Sequence, residues 1–358
     1  MKIALVHDYL KEMGGAEKVL RVLSDMYPEA PIYTAFVDPK SGAAKEFADR
    51  KIIESKWGVL LKIGKMYSYL RFCLPWVWQS LDLSQYDLVI TSCSGYIARG
   101  FVVGKTTKVV AYCHTPPRWL YGYETPTGAQ GVWWGKIYLW LVGPFVRYFD
   151  FTSAQRVDKW IANSREVVLR INKFYRKEAV VVYPPCDTSP RLHVSTSTRD
   201  YWLIVSRIVG GKGLELAVQA AREAKEKLVI VGMGDNRLGD RLQVIGNRYV
   251  EMKGWVEDSE ISEVYAGAKG FLALAKDEDF GMSVVEAMAY GVPVLAYNGG
   301  GFKETVIEGV NGRLINDDVS GAMNTWGSKW DQEKIIESVA KFGKTRFEKE
   351  VRKIVESL

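Results

Sequence analysis

The sequence predicts an α/β protein built from two doubly wound parallel domains. Short apolar runs alternate with amphipathic helical stretches along most of the 358 residues. In the second half each apolar run ends in a glycine-rich or charged loop, and a Pro-, Ser- and Thr-rich stretch from Pro184 to Asp200 interrupts the series once. A chain of this length holds about two domains of ordinary size.

Ile3 to Val6 reads as a buried strand, followed by a Gly14-Gly15 loop and a helix that Pro28 ends. Ala16, Val19, Leu20 and Leu23 share the inner face of that helix, and Glu17, Lys18 and Arg21 are expected to point away. Further strands are expected at Leu88–Ile90, Lys108–Tyr112, Lys159–Ala162 and Ala179–Val182, with Asn163-Ser164 offering a helix cap. Past the break come Trp202–Val205, Leu228–Val231, Gly270–Leu274 and Val294–Ala296. Asp317 to Trp330 reads as a loop from its Gly, Ser and Trp content, and Phe347, Val351, Ile354, Val355 and Leu358 form a closing amphipathic helix. These elements assign an N-terminal domain to 1–185, a second domain to 186–340, and a helix at 341–358 packing back toward the first domain.

Apolar residues at 47% and charged residues at 25% exclude a disordered or collagen-like chain. The net charge of +6 is local: between Trp57 and Phe149 there are nine Lys and Arg against three Asp and Glu, and seven of the twelve Trp. Such a stretch suits a membrane surface, an anionic ligand or nucleic acid. Its cations are scattered and no nucleic-acid module accompanies them, so no nucleic-acid partner is expected. Cys73, Cys93, Cys113 and Cys186 lack metal-ligand spacing and read as core thiols. The opening apolar run is cut short by His7 and Asp8, so it is no signal peptide. Val132–Phe149 carries Lys136 and Arg147 and is broken by Gly143-Pro144, so it is no bilayer span.

Two constellations carry chemistry. In Ser206-Arg207-Ile208-Val209-Gly210-Gly211-Lys212-Gly213, two cations share a loop before a helix, and both can converge with that helix's N-terminus on one anion. The glycine spacing is not that of a Walker A loop, and two solvated loop charges are the plain alternative. In Asp277 to Glu286, a helix starting near Gly281 leaves the amides of Gly281, Met282 and Ser283 open to phosphate oxygens and puts Glu286 in its second turn. Glu278 and Glu286 are natural acceptors for sugar and ribose hydroxyls. Asp277 and Asp279 read as an acidic helix cap, and their resemblance to a metal-binding Asp-x-Asp as a decoy.

The order Arg207…Lys212, Glu278-x7-Glu286, Gly291-Val-Pro-Val and Gly300-Gly301-Phe-Lys-Glu304 resembles the retaining GT-B glycosyltransferases of family 4. His7-Asp8-Tyr9-Leu10, Gly14-Gly15-Ala16-Glu17 and His114-Thr115-Pro116-Pro117-Arg118 are similar to its bacterial mannosyltransferase-like branch, which builds surface polysaccharides. The resemblance runs from Met1 to about Arg313 and implies two Rossmann-like domains facing a central cleft. It gives Arg207 and Lys212 the donor diphosphate, Glu278 the sugar hydroxyls and Glu286 the ribose, with Phe280, Gly281, Met282 and Ser283 completing the phosphate site. It brings Gly14 and Gly15 toward the phosphate, where glycine allows close approach and unusual dihedrals.

His114 would touch the donor sugar, and His7, Asp8 and Arg118 the acceptor or donor; His193 is expected to be solvated. The implied reaction is retaining transfer to a hydroxyl of a glycan or polyprenyl-linked acceptor, with GDP-mannose the first donor expected and UDP-sugars next. No cofactor and no metal are implied. The expected location is the cytoplasm, peripheral on the inner face of the plasma membrane, with residues 57–149 against an anionic surface. The alternatives are an inactive sugar-nucleotide binding protein and a GT-B hydrolase or phosphorylase; a pyridoxal-phosphate phosphorylase is normally much longer.

Overall fold

A computed structural model of the chain describes residues 1–62, 67–125, 133–188, 199–327 and 330–358. The expected linker falls largely in 189–198, outside the described residues, as do His193, Lys65 and the side chain of Trp134. The chain divides into two units. One gathers Met1–Tyr123, Ala129–Pro185 and Lys344–Leu358, the other Glu124–Gly128 and Cys186–Gly343.

Among the described residues the first unit has a seven-stranded sheet of β1 (Ile3–His7), β2 (Ile32–Thr34), β3 (Ile52–Glu54), β4 (Leu88–Cys93), β5 (Lys108–Cys113), β6 (Lys159–Ala162) and β7 (Ala179–Val181). The order is β3-β2-β1-β4-β5-β6-β7, and every pair is parallel. Side chains alternate across it, so Ala4 and Val6 enter one buried cluster and Leu5 the other. A parallel sheet must be covered on both faces, and here both are. The Lys344–Glu356 helix lies over the second face, burying Phe347, Val351 and Ile354 with Leu5, Val110 and Tyr112.

The second unit repeats the winding with β8 (Tyr201–Val205), β9 (Leu228–Val231), β10 (Val250–Gly254), β11 (Ala268–Ala273), β12 (Val294–Tyr297) and β13 (Gly312–Ile315), in the parallel order β10-β9-β8-β11-β12-β13. Its core centres on Trp202, Ile204, Ile230, Leu272 and Leu295. The four strands not foreseen, β2, β3, β10 and β13, lie at or beside sheet edges. They are three to five residues long, which leaves few apolar positions to mark them in the sequence.

Two expectations are corrected. Residues Asp317–Trp330 contain a helix, Val319–Asn324, where Asp318 accepts from the Gly321 N–H at 2.8 Å and Val319, Met323 and Trp326 turn into the core. Gly143-Pro144 does not break the apolar run, because a single helix spans Trp133–Ala154 with Pro144 inside it. Pro144 faces outward, where water can replace the one helix hydrogen bond that it forfeits. Among the described residues no helix is long and apolar enough to cross a membrane. The basic excess is also not all at the surface: Arg99 is buried against Asp150 and Tyr175, and Trp78 is wholly enclosed. All four cysteines are free thiols, three of them buried.

Phe347 is fully buried and meets Tyr112 edge-on at 5.6 Å between ring centres. Phe347→Ala is expected to destabilise the first unit by about 3–5 kcal/mol. Urea unfolding followed by tryptophan fluorescence, read against the transition of the second unit, measures that loss.

Candidate functional site

In each sheet the strand order reverses once, between β1 and β4 in the first unit and between β8 and β11 in the second. Connections leave in opposite directions there, so the strand C-termini at that point open a crevice. The residues singled out from sequence gather at these two places.

In the first unit Asp8 follows β1. Its Oδ2 accepts from the Ser94 N–H at 3.0 Å, the Ser94 hydroxyl at 2.7 Å and the Tyr96 N–H at 2.9 Å. Its Oδ1 accepts from the Ala98 N–H at 3.0 Å. Burial raises its pKa, while the charge of His7 and these four donors pull the other way. His7 ends β1 with Nδ1 3.0 Å from Ser92 Oγ and Nε2 3.3 Å from Glu17 Oε1. Ser92 Oγ is also 2.8 Å from His114 Nε2, just past the end of β5. At 2% and 3% exposure, His7 and Asp8 are internal, which corrects their expected contact with substrate. His114 keeps partial exposure.

Glu17 was expected on the outer face of its helix, and it points inward instead. From the first turn of Gly15–Met26 it bonds His7 and accepts the Gly14 N–H at 2.9 Å. Gly14 itself is extended, with φ of −128°, so no unusual dihedral requires it. A Cβ there would lie 3.0 Å from Glu17 Oε2, close enough to press on the carboxylate that the Gly14 N–H bonds. Gly15 is the exposed first residue of the helix, and Arg118 starts a short helix, Arg118–Tyr121, half-buried.

In the second unit the loops after β8 and β11 supply the charged residues. Lys212 Nζ lies 2.7 Å from Glu278 Oε2, with both side chains mostly enclosed. Arg207 is exposed on the same loop as Lys212. Gly213 begins the next helix at φ of 70°, where a Cβ would sit 2.3 Å from the Leu274 carbonyl oxygen. Gly281, at φ of 87°, is the residue before the Met282–Ala289 helix, so neither Asp277 nor Asp279 caps it. Met282 and Ser283 form the first turn of that helix, and Glu286 lies half-buried in its second. The Phe280 ring is in the core against Phe342, which leaves only its backbone for a ligand. The C-terminal unit thus sets two cations and a helix N-terminus among carboxylates, an arrangement fitted to a phosphate group bearing a hydroxyl-rich partner.

Residues 13–190 match the family model Glycosyltransferase Family 4, and residues 188–326 match Glycosyl transferases group 1. The chain is a family 4-like glycosyltransferase. An uncharacterised glycosyltransferase of Methanocaldococcus jannaschii is 26% identical over 172 residues, 47% of this chain and 48% of that protein. The chain spans about half the length of the first two curated relatives it matches. The α-1,3/1,6-mannosyltransferase ALG2 of Candida glabrata is 24% identical, over 86% of this chain and 78% of its own. The crystal structure of Anabaena Alr3699/HepE with UDP-glucose superposes with a TM-score of 0.69 at 17% identity, covering all of both chains, which shows the GT-B fold.

In this glycosyltransferase burial, aided by the charge that nearby His7 carries when it is protonated, lowers the His114 pKa to about 3. The unfolded imidazole takes up its proton near 6.5, so acid favours the unfolded chain from there downward. His114 should therefore add a slope of up to about 1.4 kcal/mol per pH unit to stability between those pKa values, with stability falling as pH falls. Unfolding titrations of His114→Gln should lack that slope, and the wild-type His114 ring signal should stay flat from pH 8 to about 4.

Proposed function

We propose that the protein transfers a hexose from a nucleoside diphosphate sugar to a hydroxyl of a glycan or lipid-linked acceptor. The transfer retains the anomeric configuration and uses no metal. The observation that carries this reading is the pairing of Lys212 with Glu278 beside the Gly281-led helix. In the free protein the two charges neutralise each other; a donor replaces that contact by giving the diphosphate to Lys212 and sugar hydroxyls to Glu278. Arg207 grips the diphosphate, the first-turn amides of the Met282–Ala289 helix meet its oxygens, and Glu286 accepts from the ribose. In the N-terminal unit, His114 and the Gly14-Gly15 loop take the sugar and phosphate contacts that the family resemblance implies.

In the reaction, the bond between the anomeric carbon and the phosphate oxygen breaks as the acceptor oxygen bonds the same face. A phosphate oxygen receives the acceptor's proton, so no protein base is assigned. Charge grows on the leaving diphosphate, and Arg207 and Lys212 are placed to stabilise it. GDP-mannose is the first donor reading, supported by the Candida relative named as a mannosyltransferase. A UDP-sugar is the second, favoured by the structural neighbour that holds UDP-glucose. Nucleotide release from guanosine and uridine diphosphate sugars, with and without a polyprenyl-linked acceptor, decides between them. Arg207→Ala and Lys212→Ala should each lower kcat about 100-fold or more, with EDTA leaving the wild-type rate unchanged. Near-normal turnover in both variants would overturn the donor site.

The acceptor side of this reading rests on the Trp133–Ala154 helix, which buries Val146, Phe149 and Ala154 and still leaves large apolar side chains outside. Its inner face carries Asp150, held by Arg99, Tyr121 and Tyr175. Its outer face exposes Trp133, Trp140, Leu141, Phe145 and Tyr148 beside Lys136 and Arg147, and Trp76 packs on Phe145 at 5.9 Å. Aromatic rings mixed with cations and no acid on that face suit the headgroup layer of an anionic bilayer. Sedimentation with anionic vesicles at low salt should recover the wild type, and Trp133→Ser/Trp140→Ser should stay in solution. Equal recovery on zwitterionic vesicles, or a wild type that only self-associates, counts against a lipid surface.

A further inference from the structure

The polar chain Glu17–His7–Ser92–His114 has a direction that its members impose. Glu17 is 7% exposed, and its carboxyl titrates below the ordinary range. Burial opposes this, but the hydrogen bond of His7, the charge that His7 carries whenever it is protonated, and the Gly14 and Glu17 amides outweigh it. An ionised carboxylate only accepts, so the hydrogen between Glu17 and His7 sits on His7 Nε2. While His7 is neutral its Nδ1 then carries a bare lone pair, and the Ser92 hydroxyl must donate to it. The single proton of Ser92 is spent there, so toward His114 Ser92 can only accept. His114 must supply that hydrogen from Nε2, which leaves its Nδ1 an acceptor.

We propose that Ser92, with His7 and Glu17 behind it, is a positioning residue that holds His114 in the Nε2–H tautomer and so presents Nδ1 to a substrate hydroxyl. The inference rests on the reading that His114 meets the donor sugar, whose hydroxyls are hydrogen-bond donors. A neutral imidazole free to choose would divide between tautomers, and the Nδ1–H form would make the hydroxyl accept and turn its own hydrogen elsewhere, so the two tautomers orient it differently. The same Glu17 carboxylate also accepts the Gly14 N–H, so one group fixes both the glycine loop and the far end of the chain. Asp8 lies beside His7, yet its oxygens are taken up by Ser94, Tyr96 and Ala98 and it makes no bond into the chain. A second proton on His7 would leave its bond to Glu17 in place but reverse both bonds of Ser92, turning His114 Nδ1 into a donor.

The chain has three histidines, His7, His114 and His193. Long-range proton–nitrogen correlation spectra of histidine-labelled protein, assigned with His114→Gln and His193→Gln, therefore read the tautomer directly. The wild type should show His114 protonated on Nε2. Ser92→Ala should give mixed tautomers and a kcat lower by about fivefold to tenfold, with donor KM nearly unchanged and Ser92→Thr restoring both. Glu17→Gln, which can offer an N–H to His7 Nε2, should bring up the Nδ1–H form of His114 and serves where Ser92→Ala folds poorly. A wild-type His114 protonated on Nδ1, or a tautomer indifferent to both substitutions, would overturn the proposal. Undiminished transfer by His114→Gln would instead sink the sugar contact and leave the spectroscopic result standing.

Discussion

The buried carboxylate of Asp8 holds the N-terminal site together. It ties the chain leaving β1 to the chain leaving β4, the two segments that diverge at the reversal of strand order. Hydrogen bonds alone join strands within a sheet, but nothing in a parallel ladder fixes the loops beyond its end. Four donors on one carboxylate do so, and they offset part of the cost of burying its charge. They also account for Ile97, a β-branched residue at φ of 55°, a conformation that costs about 1–3 kcal/mol. Asp8 bonds the amides on both sides of it, so the strained residue is clamped. With the loops set, His7 and Ser92 stand paired at Cα register on adjacent strands, and Ser92 reaches His114 from the next.

The C-terminal unit solves a different problem with the opposite means. Asp8 is locked by neutral donors, whereas Lys212 and Glu278 are each the other's counter-ion at 2.7 Å. A salt bridge that is only partly buried gains little net stability, so exchanging it for a ligand costs little. The backbone around it is fixed instead by glycines where a side chain would collide: Gly213 against Leu274, Gly300 against the Glu278 carbonyl and Gly301 against the Asp279 carbonyl. Rigid backbone with exchangeable charges suits a group that must be bound and then released.

Much of this was legible in the sequence because it follows period and position. The apolar runs that became β1, β4, β5, β8, β9, β11 and β12 are long enough to be buried on both faces, and Arg207, Lys212, Glu278, Glu286 and His114 all follow such runs. Hidden were the residues whose environment depends on tertiary contacts. Glu17 occupies a helical position that looks solvent-facing until the buried ring of His7 is placed beside it, and a lone serine at the end of β4 carries no signal at all. Two strand-end histidines with a glutamate in the first turn of the intervening helix were the available clue. Asp317–Trp330 misled because its helix is a turn and a half long, set by the Asp318 cap and the burial of Met323 and Trp326 more than by periodicity.

The local excess of six positive charges changes meaning once burial is known. Arg99 neutralises Asp150 inside the first unit, so part of the excess serves packing. The Asp150 cluster has a geometric consequence as well: it anchors the inner face of the Trp133–Ala154 helix through groups that tolerate no rotation, since turning the helix would strand a buried charge. The aromatic residues opposite are therefore held outward by the Asp150 contacts together with the packing of Val146, Phe149 and Ala154. Exposure of those rings is a property of the fold, and the cations that remain at the surface beside them, Lys136 and Arg147, give the ridge its sign.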